Sequence, residues 1–168
     1  MSDLESHPDL RVAIGCSTWL GNFWVATRGA LVSEVRFNLP PPVHEGDDTT
    51  GAEVARQIAA FLSGDIRAIE APLDWSVLPT AHGAILRALY ESVPWGDVVT
   101  YGELAAMAGH PGAARAAGAA CRMNPFAIVA PAHRVIAAGG RLGGYGGRPD
   151  IKRLLLEREG NWKPGKRR

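Results

Sequence analysis

A histidine and a carboxylate can act as a general base and its orienting partner, or can simply satisfy each other as a hydrogen-bonded structural pair. His133 and Glu159 admit both readings. Directly before the histidine stands Ala132. Its methyl group has no lone pair and no acidic proton, so no neighbour can turn it into a nucleophile. The only thiols belong to Cys16 and Cys121, whose spacing carries neither a metal-ligand nor a disulfide signature. His7, His44, His82 and His110 are scattered without ligand spacing, so no metal site is expected.

Other residues suit recognition rather than reaction. Arg115 stands alone among Ala113, Ala114, Ala116, Ala117, Ala119 and Ala120. A lone guanidinium on an alanine face can reach a phosphate or stack in a base pile, whereas the same alanines can also pack a helix into a core and leave an ordinary surface arginine. Tyr101 is either a phenol near a helix start, placed to meet a phosphate, or an amphipathic core residue. Arg122 is a further candidate for a backbone contact, of the kind that salt weakens and sequence does not select. Gly144, Tyr145, Gly146 and Gly147 form either a loop that lets backbone approach a ligand or a plain mobile loop.

The elements that must position these residues can be read from pattern and punctuation. Residues 12–14, 23–26 and 31–37 read as strands, separated by Gly21 with Asn22 and by Arg28 with Gly29. A proline-rich loop at 39–43 and the acidic Glu45, Asp47 and Asp48 end the sheet. A helix over about 50–63 follows, with Val54, Ile58, Phe61 and Leu62 at helical spacing and Gly64 as its stop. A linker over 71–79 leads to a helix capped by Thr80, whose stripe is Ile85, Leu86, Leu89 and Val93; Pro94 to Gly96 breaks it. Thr100 and Glu103 spell a capping box for a short helix through about Ala108. After a turn at Gly109, His110 and Pro111, a second helix runs over about 112–122, which makes a helix-turn-helix candidate. Asp150 is the expected cap of a last helix through Arg158.

At 168 residues the chain can bury a real core in one domain or two small ones. Its net charge of +1 hides an asymmetry. Residues 1–79 carry 5 basic and 11 acidic side chains, a net −6, while residues 141–168 carry 9 and 3, a net +6. The C-terminal part therefore suits a polyanion, although Lys163, Lys166, Arg167 and Arg168 can equally be a solvated tail. Residues 1–9 lack the pattern of a secretory signal and no long uncharged apolar run suggests a membrane span, so a cytoplasmic protein is expected.

Several motifs in one order resemble the O6-alkylguanine-DNA alkyltransferase family. They are Pro94-Trp95-Gly96, Thr100-Tyr101-Gly102-Glu103, the run from Gly112 to Gly118, Asn124-Pro125, Pro131-Ala132-His133-Arg134-Val135, Gly144-Tyr145-Gly146-Gly147, and Leu154 to Leu156 with Glu159 and Gly160. Residues 1–79 match more loosely, through Ser17 to Gly21 in a hairpin position. The resemblance implies an α+β fold: an N-terminal sheet-plus-helix subdomain over 1–79, then a helical, winged helix-turn-helix-like DNA-binding subdomain over 80–168 with a basic tail. It implies no cofactor.

In that family the residue between the proline and the histidine is the cysteine that accepts the alkyl group, and here it is Ala132. The resemblance makes His133 and Glu159 the remnant of the machinery that activates the thiol, and Asn124 the tie between recognition helix and active-site turn. Tyr101, Arg115, Ala114 and Arg122 become DNA-binding residues, Tyr101 pushing out the target nucleotide and Arg115 filling the gap. Met123, Ala132, Val135, Tyr145 and Gly146 become the lesion pocket. Departures occur at His82, Gly83 and Arg87, and at Met123 in place of a small residue.

The function so implied is a non-catalytic reader, a monomer that binds double-stranded DNA, rotates O6-alkylguanine into a pocket and flags it for another pathway, with nucleotide excision repair proteins as partners. One alternative is the Cys-to-Ala form of an active suicide alkyltransferase; Cys121 is then the conceivable substitute acceptor, though it reads mainly as a small packing residue. The other is a helix-turn-helix transcription regulator.

Overall fold

The computed structural model describes residues 9–42 and 48–160. The described residues form two compact units, one within 9–77 together with 125–129 and one of 78–124 with 130–160. The sequence expectations for Glu45, Asp47 and the basic residues from Lys163 onward lie outside the described residues.

The first unit is an antiparallel sheet of β1 (Leu10–Ser17), β2 (Gly21–Arg28) and β3 (Leu31–Phe37), in that order, with α1 (Thr49–Ser63) packed on β1 and β2. Alternation sends Phe23 and Val25 to one face and Trp24 and Ala26 to the other. Trp24 and Ala26 cluster with Leu10 and the half-buried Val12. The Asp48 carboxylate caps α1 by accepting the Gly51 amide, and Gly64 stops it in the left-handed conformation at φ 92°.

Two sequence expectations change here. Gly21 and Asn22 lie inside β2, and the turn occupies residues 18–20, because the Ser17 hydroxyl accepts the Trp19 and Leu20 amides and folds the chain early. Part of the expected linker is bound structure: the Val32 amide donates to the Pro72 carbonyl and the Asp74 amide to Val32, both at 2.8 Å. Residues 125–129 join β3 on the same principle, with the Val35 amide donating to Pro125 at 2.8 Å.

The second unit contains α2 (Thr80–Ser92), β4 (Val99–Thr100), α3 (Tyr101–Met107), α4 (Ala114–Arg122), β5 (Val135–Ile136) and α5 (Pro149–Glu159). β4 and β5 pair in parallel, Val99 with Val135 and Thr100 with Ile136. Ile85, Leu86, Leu89, Leu104, Ala117, Ala120, Leu155 and Leu156 supply buried core. The capping box forms as expected: the Glu103 amide donates to the Thr100 hydroxyl at 3.2 Å, and the Thr100 amide to the Glu103 carboxylate at 2.7 Å.

Two expected caps are corrected. Pro79 caps α2 with its carbonyl, which accepts the Gly83 amide at 2.9 Å, so Thr80 lies inside the helix. Arg148 is the cap of α5 and Pro149, whose fixed φ suits the first helical position, starts it. Asp150 then sits in the first turn, paired with Arg148 at 2.8 Å and favoured by the positive end of the helix. α4 also begins later than expected, since Gly112 at φ 83° is not helical.

Candidate functional site

Ala132 sits at the end of an inverse γ-turn. Pro131 adopts φ −80° and ψ 65°, and the Ala132 amide donates to the Ala130 carbonyl at 2.8 Å. The Asn124 side chain, just past the C-terminus of α4, donates to the same carbonyl at 2.9 Å. This places Asn124 and the turn in one hydrogen-bonded arrangement. Ala132, His133 and Arg134 continue as a 3-10 turn into β5. The Ala132 methyl is buried, with 8% of the residue exposed.

The next two side chains converge on α5. His133 Nε2 lies 2.7 Å from Glu159 Oε1, and His133 is fully buried. Arg134 donates to Glu159 through Nε and Nη2 at 2.9 to 3.1 Å and through Nη1 to the Val93 carbonyl at 2.7 Å. The Gly96 amide adds a further donor to Glu159 at 3.0 Å. Burial pushes the Glu159 carboxyl up, but the hydrogen bonds and charges of His133 and Arg134 outweigh it and bring it to about 2. Burial pushes His133 down despite Glu159, so the ring is neutral at neutral pH. An ionised carboxylate only accepts, so Nε2 carries the proton that faces it and Nδ1 keeps a lone pair. That Nδ1 is buried and has no hydrogen-bond partner.

α4 resolves its two sequence readings onto two faces. Ala117 and Ala120 are buried, while Ala114, Arg115 and Arg122 are exposed. Arg115 and Arg122 are seven residues apart, so they point the same way about 10 Å apart along the axis. No side chain caps the N-terminus of α4, where Ala114 and Arg115 lie. Gly118 packs on the neighbouring Tyr101 ring: a methyl built there would meet Tyr101 Cδ1 at 4.0 Å.

Tyr101 is half-buried at the first position of α3. Burial holds its phenol above the ordinary range. Tyr145 is also half-buried with its hydroxyl raised by burial, Gly146 is exposed at φ 55°, and Val135 is buried. Met123, past the end of α4, is 52% exposed. Cys121 is half-buried, and burial pushes its thiol up to about 12. It is therefore a thiol rather than a thiolate at neutral pH.

Two residues with central positions escaped the sequence reading. Arg134 neutralises Glu159, and Lys152 is fully buried, its Nζ donating to the Val135 carbonyl at 2.5 Å and to the Gly144 carbonyl at 3.1 Å. A signal existed. Lys152, Leu155, Leu156 and Glu159 have the spacing of a single buried helix face, which makes the lysine and the glutamate inward-facing charges. Among the described residues no group of His, Cys, Asp and Glu could hold a metal ion, and no helix is long and apolar enough to cross a membrane.

Comparison with known proteins places this geometry. Residues 81–161 match the family described as 6-O-methylguanine DNA methyltransferase, DNA binding domain. The chain is 40% identical over 112 residues to the methylated-DNA–protein-cysteine methyltransferase of Methanosarcina acetivorans, a span of 65% of this chain and 69% of that protein. The structure of Mycobacterium tuberculosis O6-methylguanine methyltransferase matches with a TM-score of 0.71 at 32% identity, covering 92% of this chain and 97% of that one. Mycobacterium tuberculosis OGT in complex with DNA matches with a TM-score of 0.73 at 35% identity, covering 89% and 91%. An N-terminal sheet followed by a helical DNA-binding domain defines the class, DNA-binding proteins on an alkyltransferase scaffold. The chain belongs to the 6-O-methylguanine DNA methyltransferase family.

Proposed function

We propose that this protein is a non-catalytic reader of alkylated DNA: it binds duplex DNA, holds an extruded O6-alkylguanine and presents it to another repair system. The observation that carries the reading is Ala132. We infer that it occupies the acceptor position, because it lies in the Pro131 turn, tied through the Ala130 carbonyl to Asn124 and followed by the His133–Glu159 pair. A methyl group there leaves the machinery without an atom to alkylate. Cys121 does not replace it, since its thiol is held protonated.

In this reading Arg115 and Arg122 meet the nucleic-acid strand from the exposed face of α4, and Ala114 lets the backbone come close. The uncapped amides of α4 favour a phosphate at the helix start. Tyr101 guides the target nucleotide outward while Arg115 fills the vacated stack. Ala132, Val135, Met123, Tyr145 and Gly146 line the lesion pocket. Extrusion of a base costs a few kcal/mol, and less for a weakly paired lesion, so selectivity arises without reaction. Excision repair proteins are the partners that such a signal requires, and the reader acts as a monomer.

The test is competition between an O6-methylguanine duplex and its undamaged counterpart, with intact-protein mass spectrometry of the same samples. A reader prefers the lesion in unrelated sequence contexts and gains no mass. A covalent adduct, or equal affinity for the two duplexes, would overturn the reading. A preference for one undamaged sequence would identify a transcription regulator instead. A second reading, a suicide methyltransferase whose acceptor was replaced, is favoured by the intact His133–Glu159 geometry. It predicts that Ala132→Cys restores transfer.

A further inference from the structure

A lysine excluded from solvent is uncommon unless its ammonium group is fully engaged. Lys152 reaches from α5 to two carbonyls on separate segments, Val135 at the start of β5 and Gly144 in the glycine loop. One ammonium group thus ties the glycine loop to β5 and anchors both to α5. The ammonium group also lies 5.9 Å from the centroid of the Tyr101 ring, in the range of a cation–π contact. The loop approaches Tyr101 closely: Gly143 has φ 73°, and a methyl built on it would stand 3.2 Å from the phenol oxygen.

The geometry points to Lys152 as a positioning residue that clasps the Gly144 carbonyl, with Tyr101 packed against its ammonium group and against Gly143, fixes the loop at residues 143–147, and so sets how long an extruded base is retained. The retention half rests on the reader function proposed above; the clasp does not. Neither residue needs a nucleophile at position 132, so the clasp operates in a protein that holds rather than reacts. Tyr101, the residue that would meet the nucleotide, thereby also packs against the loop and its tether.

The charge on Lys152 contributes to the grip, because a charged donor bonds a carbonyl about twice as strongly as a neutral one. The groups facing the ammonium are Tyr101 of α3, Cys121 of α4 and His133 of the 3-10 turn, none of them an anion at neutral pH. With no counter-charge, burial brings Lys152 down to about 8. The grip therefore weakens as pH rises through that value, while the amine keeps enough hydrogens to leave both bonds in place.

Lys152→Met keeps the length and removes both bonds. Its test begins with amide hydrogen exchange on the free protein. Protection of the Arg148 amide, which donates to the Tyr145 carbonyl of the loop at 2.8 Å, is expected to fall about tenfold or more in the variant, the equivalent of one charged hydrogen bond. In the wild type it should decline between pH 7 and 9 beyond the intrinsic pH effect, and in the variant that decline should vanish. Unchanged protection in a folded variant overturns the clasp. Should Lys152→Met not fold, Lys152→Gln, which keeps a neutral donor and removes the charge, decides by the same readout: loss of the decline between pH 7 and 9 supports the clasp and its persistence overturns it. Dissociation from an O6-methylguanine duplex is then timed, with faster release expected from Lys152→Met and undamaged-duplex affinity unaltered. Loosened exchange with unaltered lesion release overturns the retention role. A wild type without lesion preference overturns retention together with the reader function, and leaves the exchange result to judge the clasp alone.

Discussion

Glu159 accepts from His133, Arg134 and the Gly96 amide, so its loss would strand a buried guanidinium and a buried imidazole together. Glu159→Gln is expected to cost about 3–5 kcal/mol, the scale of breaking a buried pair on one side, and chemical denaturation would measure it. The pH dependence follows from the depressed carboxyl. Its value near 2 in the folded state lies below the 4.5 of an unperturbed glutamate, so the stabilisation is complete above about pH 4.5 and drains away as pH falls toward 2. Denaturation of Glu159→Gln should accordingly show a flatter acid limb than the wild type. At the neighbouring position, Ala132→Cys places a thiol beside an aligned His133–Glu159 pair. Incubation with an O6-methylguanine duplex should add the mass of one CH2 to that variant and none to the wild type. A folded variant that binds the lesion without gaining mass would show that the surroundings no longer support transfer. The alanine was plain in the sequence, but the carbonyl of Val93 that Arg134 holds from 41 residues away was not, because no local pattern encodes a contact of that range.

Among the elements, legibility followed how local the determining chemistry is. The capping box at Thr100 and Glu103 is spelled within four residues and formed as written, with both bonds present. Thr100→Ala removes one of them and leaves the Glu103 amide unsatisfied. A loss of about 1 kcal/mol is expected, seen as a fall of roughly 2–4 °C in Tm, and a variant that melts like the wild type would show that α3 is held by packing alone. Thr80 and Asp150 have equally good capping side chains, yet a proline one residue earlier decided each start: its fixed φ preset the backbone, and the polar residue fell inside the helix. Gly21 misled for a related reason. Its positive φ of 89° marks the exit of the turn rather than its centre, which the Ser17 hydroxyl had already closed. The inward charges of α5 were readable from their spacing, since a helix face carrying Leu155 and Leu156 must also carry Lys152 and Glu159. What those charges meet depends on segments far away in sequence, and only the folded chain supplies it.

For the molecule as a whole, two kinds of contact with DNA should separate by their response to salt. Arg115 and Arg122 share an exposed face of α4, and contacts of that kind displace condensed counterions from the duplex whatever its sequence or damage. In the proposed reading the pocket residues instead bond or pack on an uncharged base and displace none. Affinities for intact and O6-methylguanine duplexes should therefore fall in parallel as salt rises, their ratio staying constant. Replacing both arginines with alanine should reduce the slope of log K against log salt by about 2, since each phosphate contact contributes about 0.9. Arg115→Ala should also have an effect beyond its share of the slope. If the guanidinium fills the stack left by the extruded base, its loss weakens lesion binding by a further ~1–3 kcal/mol that salt does not alter, while Arg122→Ala shows only the salt-dependent part. Fluorescence anisotropy on both duplexes at three or more salt concentrations would resolve the two contributions. Identical behaviour of the two single variants at every salt concentration would make Arg115 a phosphate contact like Arg122, and would leave the extruded base's place in the stack to some other group.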